Sequence, residues 1–218
     1  VLVFPKAAKE EQKLAAKEER FLIMATKNGL VKKIDAANFQ EVRRSGIVAI
    51  RLDKKDELKF VYLVSKGDHV ILVAKNGQSI MFKESNVRPT GRTAGGVKGI
   101  NLAAEGELIG AGVVKDAKDH FILTMSKKGF GKKTGVKNYR VQKRGGTGIK
   151  TSKITEKTGS LMVARVVGPE VGEIIAISQK GQIIRVPMIQ VPVLNRQTQG
   201  VRIMKLKPGD SIASLTCL

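Results

Sequence analysis

One cysteine, no tryptophan, two tyrosines and seven phenylalanines are all the thiol and aromatic chemistry in these 218 residues. The single thiol, Cys217, stands beside the C-terminus, which excludes an internal disulfide framework and a cysteine-based zinc site. Aromatic content of 4% argues against stacking platforms for single strands and against modules that splay RNA bases onto rings. Acidic residues are scarce too, nineteen against forty Lys and Arg, and they are scattered, with no pair suited to acid–base catalysis. No apolar run approaches membrane-spanning length and no signal-peptide layout opens the chain. The expectation is a cytoplasmic protein with no membrane partner.

What remains is strongly cationic. A formal net charge of +21 favours an extended anionic partner: DNA, RNA or acidic lipid. Hydrophobic content of 42% supports a sizeable core and speaks against wholesale disorder. Contact with duplex phosphates needs no aromatic residues, so the composition suits it.

The chain repeats. Phe21-Leu-Ile-Met-Ala-Thr-Lys-Asn-Gly29, Val70-Ile-Leu-Val-Ala-Lys-Asn-Gly77, Phe121-Ile-Leu-Thr-Met-Ser-Lys-Lys-Gly129 and Ile174-Ile-Ala-Ile-Ser-Gln-Lys-Gly181 are apolar runs ending at a glycine, spaced by 48, 52 and 52 residues. A second β-like run follows each glycine (30–34, 79–82, 130–134, 182–186), and a polar pair with glycine between two such runs signals a hairpin. A second glycine (Gly46, Gly96, Gly148, Gly200) then opens an alternating segment (47–52, 97–102, 149–154, 201–206). A further apolar strand closes each unit (58–64, 108–114, 161–167, 211–218). Four strands in about 50 residues, repeated, predict an all-β, propeller-like fold. The units run 20–67, 68–118, 119–171 and 172–218. Val1-Leu-Val-Phe4 resembles the closing strand of a fifth unit, so residues 1–19 read as that stub plus a Lys/Ala/Glu-rich interblade segment, in a cut or truncated chain.

The turn before the second glycine is basic in every unit: Arg43-Arg44, Arg88 and Arg92, Lys143-Arg144, and Arg196. Strand cations follow at Arg51, Lys98, Lys150 and Arg202. In a radial repeat, equivalent positions lie around one rim, so such cations predict a belt. A belt of this kind holds a smoothly curving duplex by phosphate contacts, with counterion release offsetting the bending cost. Base readout would require a helix or ribbon in a groove, and the pattern predicts neither. A second, weaker set, Lys32, Lys33, Lys132, Lys133 and Arg185, lies just past the hairpin glycine, and unit two breaks it with Ile80-Met81. Within the third loop, Gln142-Lys143-Arg144-Gly145-Gly146-Thr147-Gly148 joins two cations and an amide side chain to glycines that free the backbone for close approach to a ligand.

Enzymatic readings are weak. Gly129-Phe-Gly-Lys-Lys-Thr134 departs from a phosphate-binding loop at Ser126 and carries an extra lysine in a hairpin context. His69 and His120 fall in separate units without ligand-spaced companions. Tyr62 and Tyr139 lack the acidic cluster that DNA cleavage requires.

These residues resemble a family. The recurring apolar hairpin with Gly-x-x-Lys-Lys, Phe82-Lys-Glu-Ser-Asn-Val-Arg88, Gly129-Phe-Gly-Lys-Lys-Thr134 and Asn195-Arg-Gln-Thr-Gln-Gly-Val-Arg202 are similar to the C-terminal domain of the bacterial DNA gyrase A subunit, with the topoisomerase IV subunit closely related. Residues 142–148 match the gyrase A-box pattern at six of seven positions, with Thr147 in place of a cation and the box in the third unit rather than the first. The resemblance implies a β-pinwheel whose blades exchange strands. It also implies a non-catalytic module that wraps duplex DNA to support negative supercoiling in a cytoplasmic, nucleoid-associated enzyme. Implied partners are the B subunit of a heterotetramer, together with the rest of the gyrase A polypeptide. No cofactor is expected on this chain, with ATP and Mg used elsewhere in the parent enzyme. A topoisomerase IV subunit, or a basic propeller scaffold for a protein or RNA partner, stands as the alternative.

Overall fold

The computed structural model describes residues 20–39, 45–104 and 106–218. The first unit contributes β1 (Arg20–Thr26), β2 (Leu30–Asp35) and β3 (Leu58–Ser65); the second β4 (His69–Ala74), β5 (Gln78–Lys83), β6 (Val97–Lys98) and β7 (Leu108–Val114). The third adds β8 (Phe121–Ser126), β9 (Phe130–Gly135), β10 (Ile149–Lys150) and β11 (Leu161–Val167), and the fourth β12 (Glu173–Ser178), β13 (Ile183–Pro187), β14 (Val201–Arg202) and β15 (Ile212–Cys217). The expected stub at residues 1–4 and the interblade segment after it lie outside the described residues.

The hairpins form where the glycines require them. Gly29, Gly77, Gly129 and Gly181 all take φ near +80, a region costly for residues with a Cβ. Four antiparallel sheets result, ordered β3-β1-β2-β6, β7-β4-β5-β10, β11-β8-β9-β14 and β15-β12-β13. The short third strand of a unit therefore joins the preceding sheet: β6 pairs with β2, β10 with β5 and β14 with β9.

This exchange alters two expectations. The alternating segments are not full strands, because after two paired residues the chain turns inward. The amides of Gly99 and Ile100 donate to Gly29 O, those of Thr151 and Ser152 to Gly77 O, and those of Ile203 and Met204 to Gly129 O. Residues 47–52 form no strand, since the exchanged segments pair with the hairpin of the preceding unit and no unit before the first lies among the described residues. Among the described residues, the fourth sheet accordingly has three strands rather than four.

The core lies between sheets. One cluster joins Ile23, Ala25 and Val31 to Val70, Leu72 and Phe82; a second joins Ile71, Val73 and Met81 to Ile122, Val136 and Tyr139; a third joins Leu123 and Met125 to Ile174, Ala176 and Met204. Burial on both faces explains why β1, β4 and β8 read as nearly continuous apolar runs. The closing strands pack side by side, β3 on β7, β7 on β11 and β11 on β15. The exchanged strands occupy the opposite edge of the first three sheets, at the rim. Among the described residues, no helix is long and apolar enough to cross a membrane.

Candidate nucleic-acid interface

A strand on the outermost edge of a blade carries its side chains to the rim. Lys98, Lys150 and Arg202 end β6, β10 and β14, and all three are exposed. Arg88 and Arg92 are exposed in the loop leading to β6, and Lys143 in the loop leading to β10. Arg51 is exposed on the first unit. Arg43 and Arg44 lie outside the described residues.

The glycine-rich loop is pinned to the neighbouring blade. Gln142 N donates to Met81 O (2.7 Å), Gly145 N to Gly99 O (2.6 Å), and Asn101 N to Gly146 O (2.8 Å). Gly145 and Gly148 hold φ of +83 and +77, and a Cβ on Gly148 would stand 2.1 Å from Ser79 O. This glycine is thus required by strand exchange, apart from any ligand. The Gln142 amide nitrogen is buried without a partner among the described residues. Arg144 is half-buried, its Nε donating to Asn86 O (2.9 Å) and an Nη to Lys98 O (3.0 Å). Arg196 repeats this contact one blade on, reaching Lys150 O at 2.8 Å. Both guanidinium groups fasten a loop to the strand it overlies, leaving Lys143 as the outward-facing cation of its loop.

The weaker set sits mostly inside. Lys32 and Lys132 are each 1% exposed. Lys32 Nζ donates to the carbonyls of Ala49 (2.8 Å), Arg92 (2.7 Å) and Ala94 (2.9 Å). Lys132 Nζ does the same toward Asn195 O and Arg196 O, both at 2.6 Å, and Thr198 Oγ1 at 3.1 Å. Lys33 pairs with the buried Glu84 carboxylate and lies 4.8 Å from the Phe21 ring centroid. Lys133 donates to Met188 O at 2.9 Å and lies 5.4 Å from Phe121. Arg185 is exposed but ion-paired with Glu173. The four lysines hold the incoming loop and the 3-10 turn of the next blade, so they do not form part of the rim surface. Burial lowers the Lys32 pKa, and it lowers that of Lys132 to about 8, with the Arg196 charge adding to the effect. Ile80 and Met81 fill the same slots in unit two with apolar packing.

Arg140 is a rim cation that the loop pattern alone does not single out. It stands eight residues before Gly148, as Arg88 stands eight before Gly96, and that correspondence was the available signal. With Asn138, Lys150, Arg196 and Gln197 it lines an open rim depression of about 480 Å³. The remaining catalytic candidates are dispersed. Tyr139 is 4% exposed, its hydroxyl bonded to Thr151. Tyr62 and His120 border a separate depression beside the closing strands. Among the described residues, no group of three His, Cys, Asp or Glu side chains is placed to hold a metal.

The family described as DNA gyrase C-terminal domain, beta-propeller, matches residues 20–65, 68–115, 120–167 and 172–218. The DNA gyrase A subunit of Mycolicibacterium smegmatis (strain ATCC 700084 / mc(2)155) is 40% identical over 197 residues, 89% of this chain and 23% of that protein. Its counterpart in Staphylococcus epidermidis (strain ATCC 12228 / FDA PCI 1200) is 36% identical over 199 residues, 91% of this chain and 22% of that protein. The chain thus spans less than a quarter of the length of these relatives. A solved DNA gyrase A C-terminal domain is similar with a TM-score of 0.80 and 26% identity, over 92% of this chain and 66% of that one. The C-terminal domain of DNA topoisomerase IV gives 0.84 at 21% identity over 93% and 62%, a likeness of fold. Four blades that exchange their outer strands, matched blade by blade along the chain, place it in one family: it belongs to the DNA gyrase C-terminal domains, and its fold is the β-pinwheel.

Proposed function

We propose that this chain is a non-catalytic duplex-DNA-wrapping module of a type II DNA topoisomerase, working as the C-terminal domain of the gyrase A polypeptide. The observation that carries this reading is the recurrence of an exposed cation at one slot of the outermost strand in consecutive blades, Lys98, Lys150 and Arg202. Arg88, Arg92, Arg140 and Lys143 widen that line into a belt, and Arg144 and Arg196 hold its loops in place. Phosphate contacts of this kind carry no base code, so binding is largely blind to sequence and falls steeply with salt. Gly145, Gly146 and Gly148 let the loop backbone lie close to the neighbouring blade and to DNA. The blades on this reading are residues 20–67, 68–118, 119–171 and 172–218. The partners are the B subunit, together with the rest of the gyrase A polypeptide, in a cytoplasmic, nucleoid-associated setting and with no cofactor on this chain. The relatives at 36–40% identity are gyrase A subunits, which favours gyrase over topoisomerase IV.

Topology trapping tests it. A closed circular plasmid is relaxed by a separate topoisomerase with this protein bound, then stripped of protein. A linking-number shift that grows with protein concentration is expected, its sign giving the hand of the wrap. Duplex binding with no shift would sink the wrapping reading.

A further inference from the structure

The internal junctions of the rim share one set of slots and fill them differently. Each exchanged strand sets a cation opposite the first residue of a hairpin strand: Lys98 opposite Leu30, Lys150 opposite Gln78 and Arg202 opposite Phe130. Leu30 is apolar, and Arg202 lies 5.3 Å from the Phe130 ring centroid. Gln78 is an amide, and its Oε1 is buried with no partner among the described residues. The slot eight residues before the donor glycine holds Arg88, Arg140 and Pro192 in turn. Glu84, paired with Lys33 in the first junction, is replaced by Val136 in the second.

The loops close over these slots to different degrees. In the first junction Arg144 reaches both Asn86 O and Lys98 O. Its counterpart Arg196 makes only the second of these contacts among the described residues, to Lys150 O. The second junction therefore keeps the open depression of about 480 Å³, lined by Gln78, Asn138, Arg140, Lys150, Arg196 and Gln197.

Three cations and three amides face one space, and no carboxylate lines it. Among the described residues the ion pairs involve Lys27, Lys33, Lys59, Lys75 and Arg185, so Arg140, Lys150 and Arg196 are not neutralised. The Lys132 ammonium, bonded to Arg196 O, adds a fourth positive charge close by. Like charges crowded in this way repel one another until an anion enters. Guanidinium forks take phosphate oxygens two at a time, and ammonium and amide N–H groups supply further donors. A half-turn of the Gln78 amide presents its nitrogen. Against roughly 30 Å³ for each water, the volume admits two phosphate groups with some of their hydration.

We propose that the depression at the second junction is a discrete seat for a small diphosphate anion, free pyrophosphate or the phosphate tail of a nucleotide. It differs from the belt in being concave and built partly from neutral donors. Arg140 and Lys150 also belong to the proposed DNA surface, so an occupied seat competes with duplex. That consequence rests on the wrapping reading; the seat itself does not.

Calorimetric titration of the 218-residue chain with pyrophosphate, without DNA and at constant ionic strength, should show one saturable site. Arg140→Ala should weaken it roughly tenfold or more, as loss of a charge-assisted hydrogen bond does. Lys118→Ala removes the same charge from an exposed connector and should leave the affinity unchanged. Gln78→Leu, which copies Leu30 and alters no charge, should weaken binding roughly two- to tenfold. No saturable site, several equal weak sites, equal losses from Arg140→Ala and Lys118→Ala, or an unchanged affinity in Gln78→Leu would each overturn the seat. With duplex bound, pyrophosphate should release the DNA at the concentrations that fill the seat. Filling without release upholds the seat and counts against this stretch of rim as the DNA surface. Gln78→Leu chains that lose duplex affinity but keep pyrophosphate affinity overturn the seat, because the depression then serves the DNA backbone.

Discussion

Two sets of lysines recur at fixed slots in the repeat and differ in what surrounds the ammonium. Lys98, Lys143 and Lys150 are exposed, while Lys32 and Lys132 spend their donors on carbonyls inside a junction. Replacing Lys143 and Lys150 together with alanine should weaken duplex binding about equally across sequences and lower the salt slope by about one to two. Lys32→Met should leave that slope unchanged and cost about 1–3 kcal/mol of stability, because three carbonyls lose their partner. Denaturant melts and salt titrations separate the two outcomes. Lys132 adds a pH signature. Its folded pKa of about 8 lies below the ordinary 10.5, so between those values the unfolded chain binds more protons and stability rises with pH. Wild type should therefore gain on Lys132→Met as pH climbs from 8 toward 10.5. A stability difference that is flat with pH would show that Lys132 keeps its ordinary pKa in the fold.

At the scale of the element, the exchanged strand is a two-residue pairing held by a glycine at each end. Its strength comes from geometry more than length, since the inward turn places two amides on one hairpin carbonyl. Gly46→Ala and Gly148→Ala share the same unfavourable backbone region, worth about 1–2 kcal/mol for an alanine. Only the second also drives a Cβ into Ser79 O. Denaturation should show Gly148→Ala the more destabilising by a clear margin, while Gly46→Ala should lose no more than the backbone term. Equal losses would mean that the exchange contributes little to folding.

Across the whole molecule, the exchange turns a sequence repeat into a curved line of charge. Each outermost strand belongs by chain to one unit and by pairing to another, so a rim cation sits over each junction. Duplex affinity should rise with DNA length until the duplex spans the exposed cations from Arg88 to Arg202, and change little with base sequence. Fluorescence anisotropy across a length series checks this. A short duplex bound as tightly as a long one would favour a propeller that serves a protein or RNA partner.

By itself the sequence determined the repeat, the all-β class, the hairpins and the basic loops, because each rests on local chemistry: apolar runs, turn glycines and clustered charge. It also carried the resemblance to the gyrase family. Only the tertiary structure decided which lysines face solvent, since Lys32-Lys33 and Lys143-Arg144 are equally basic pairs until the loop of the next unit closes over the first. It decided that residues 97–98, 149–150 and 201–202 pair outside their own units, because a strand's partner is set by which hairpin edge lies beside it in space. It also left residues 47–52 without a strand, although their pattern matches the other three. A strand needs an edge to bind, and that edge belongs to another part of the fold.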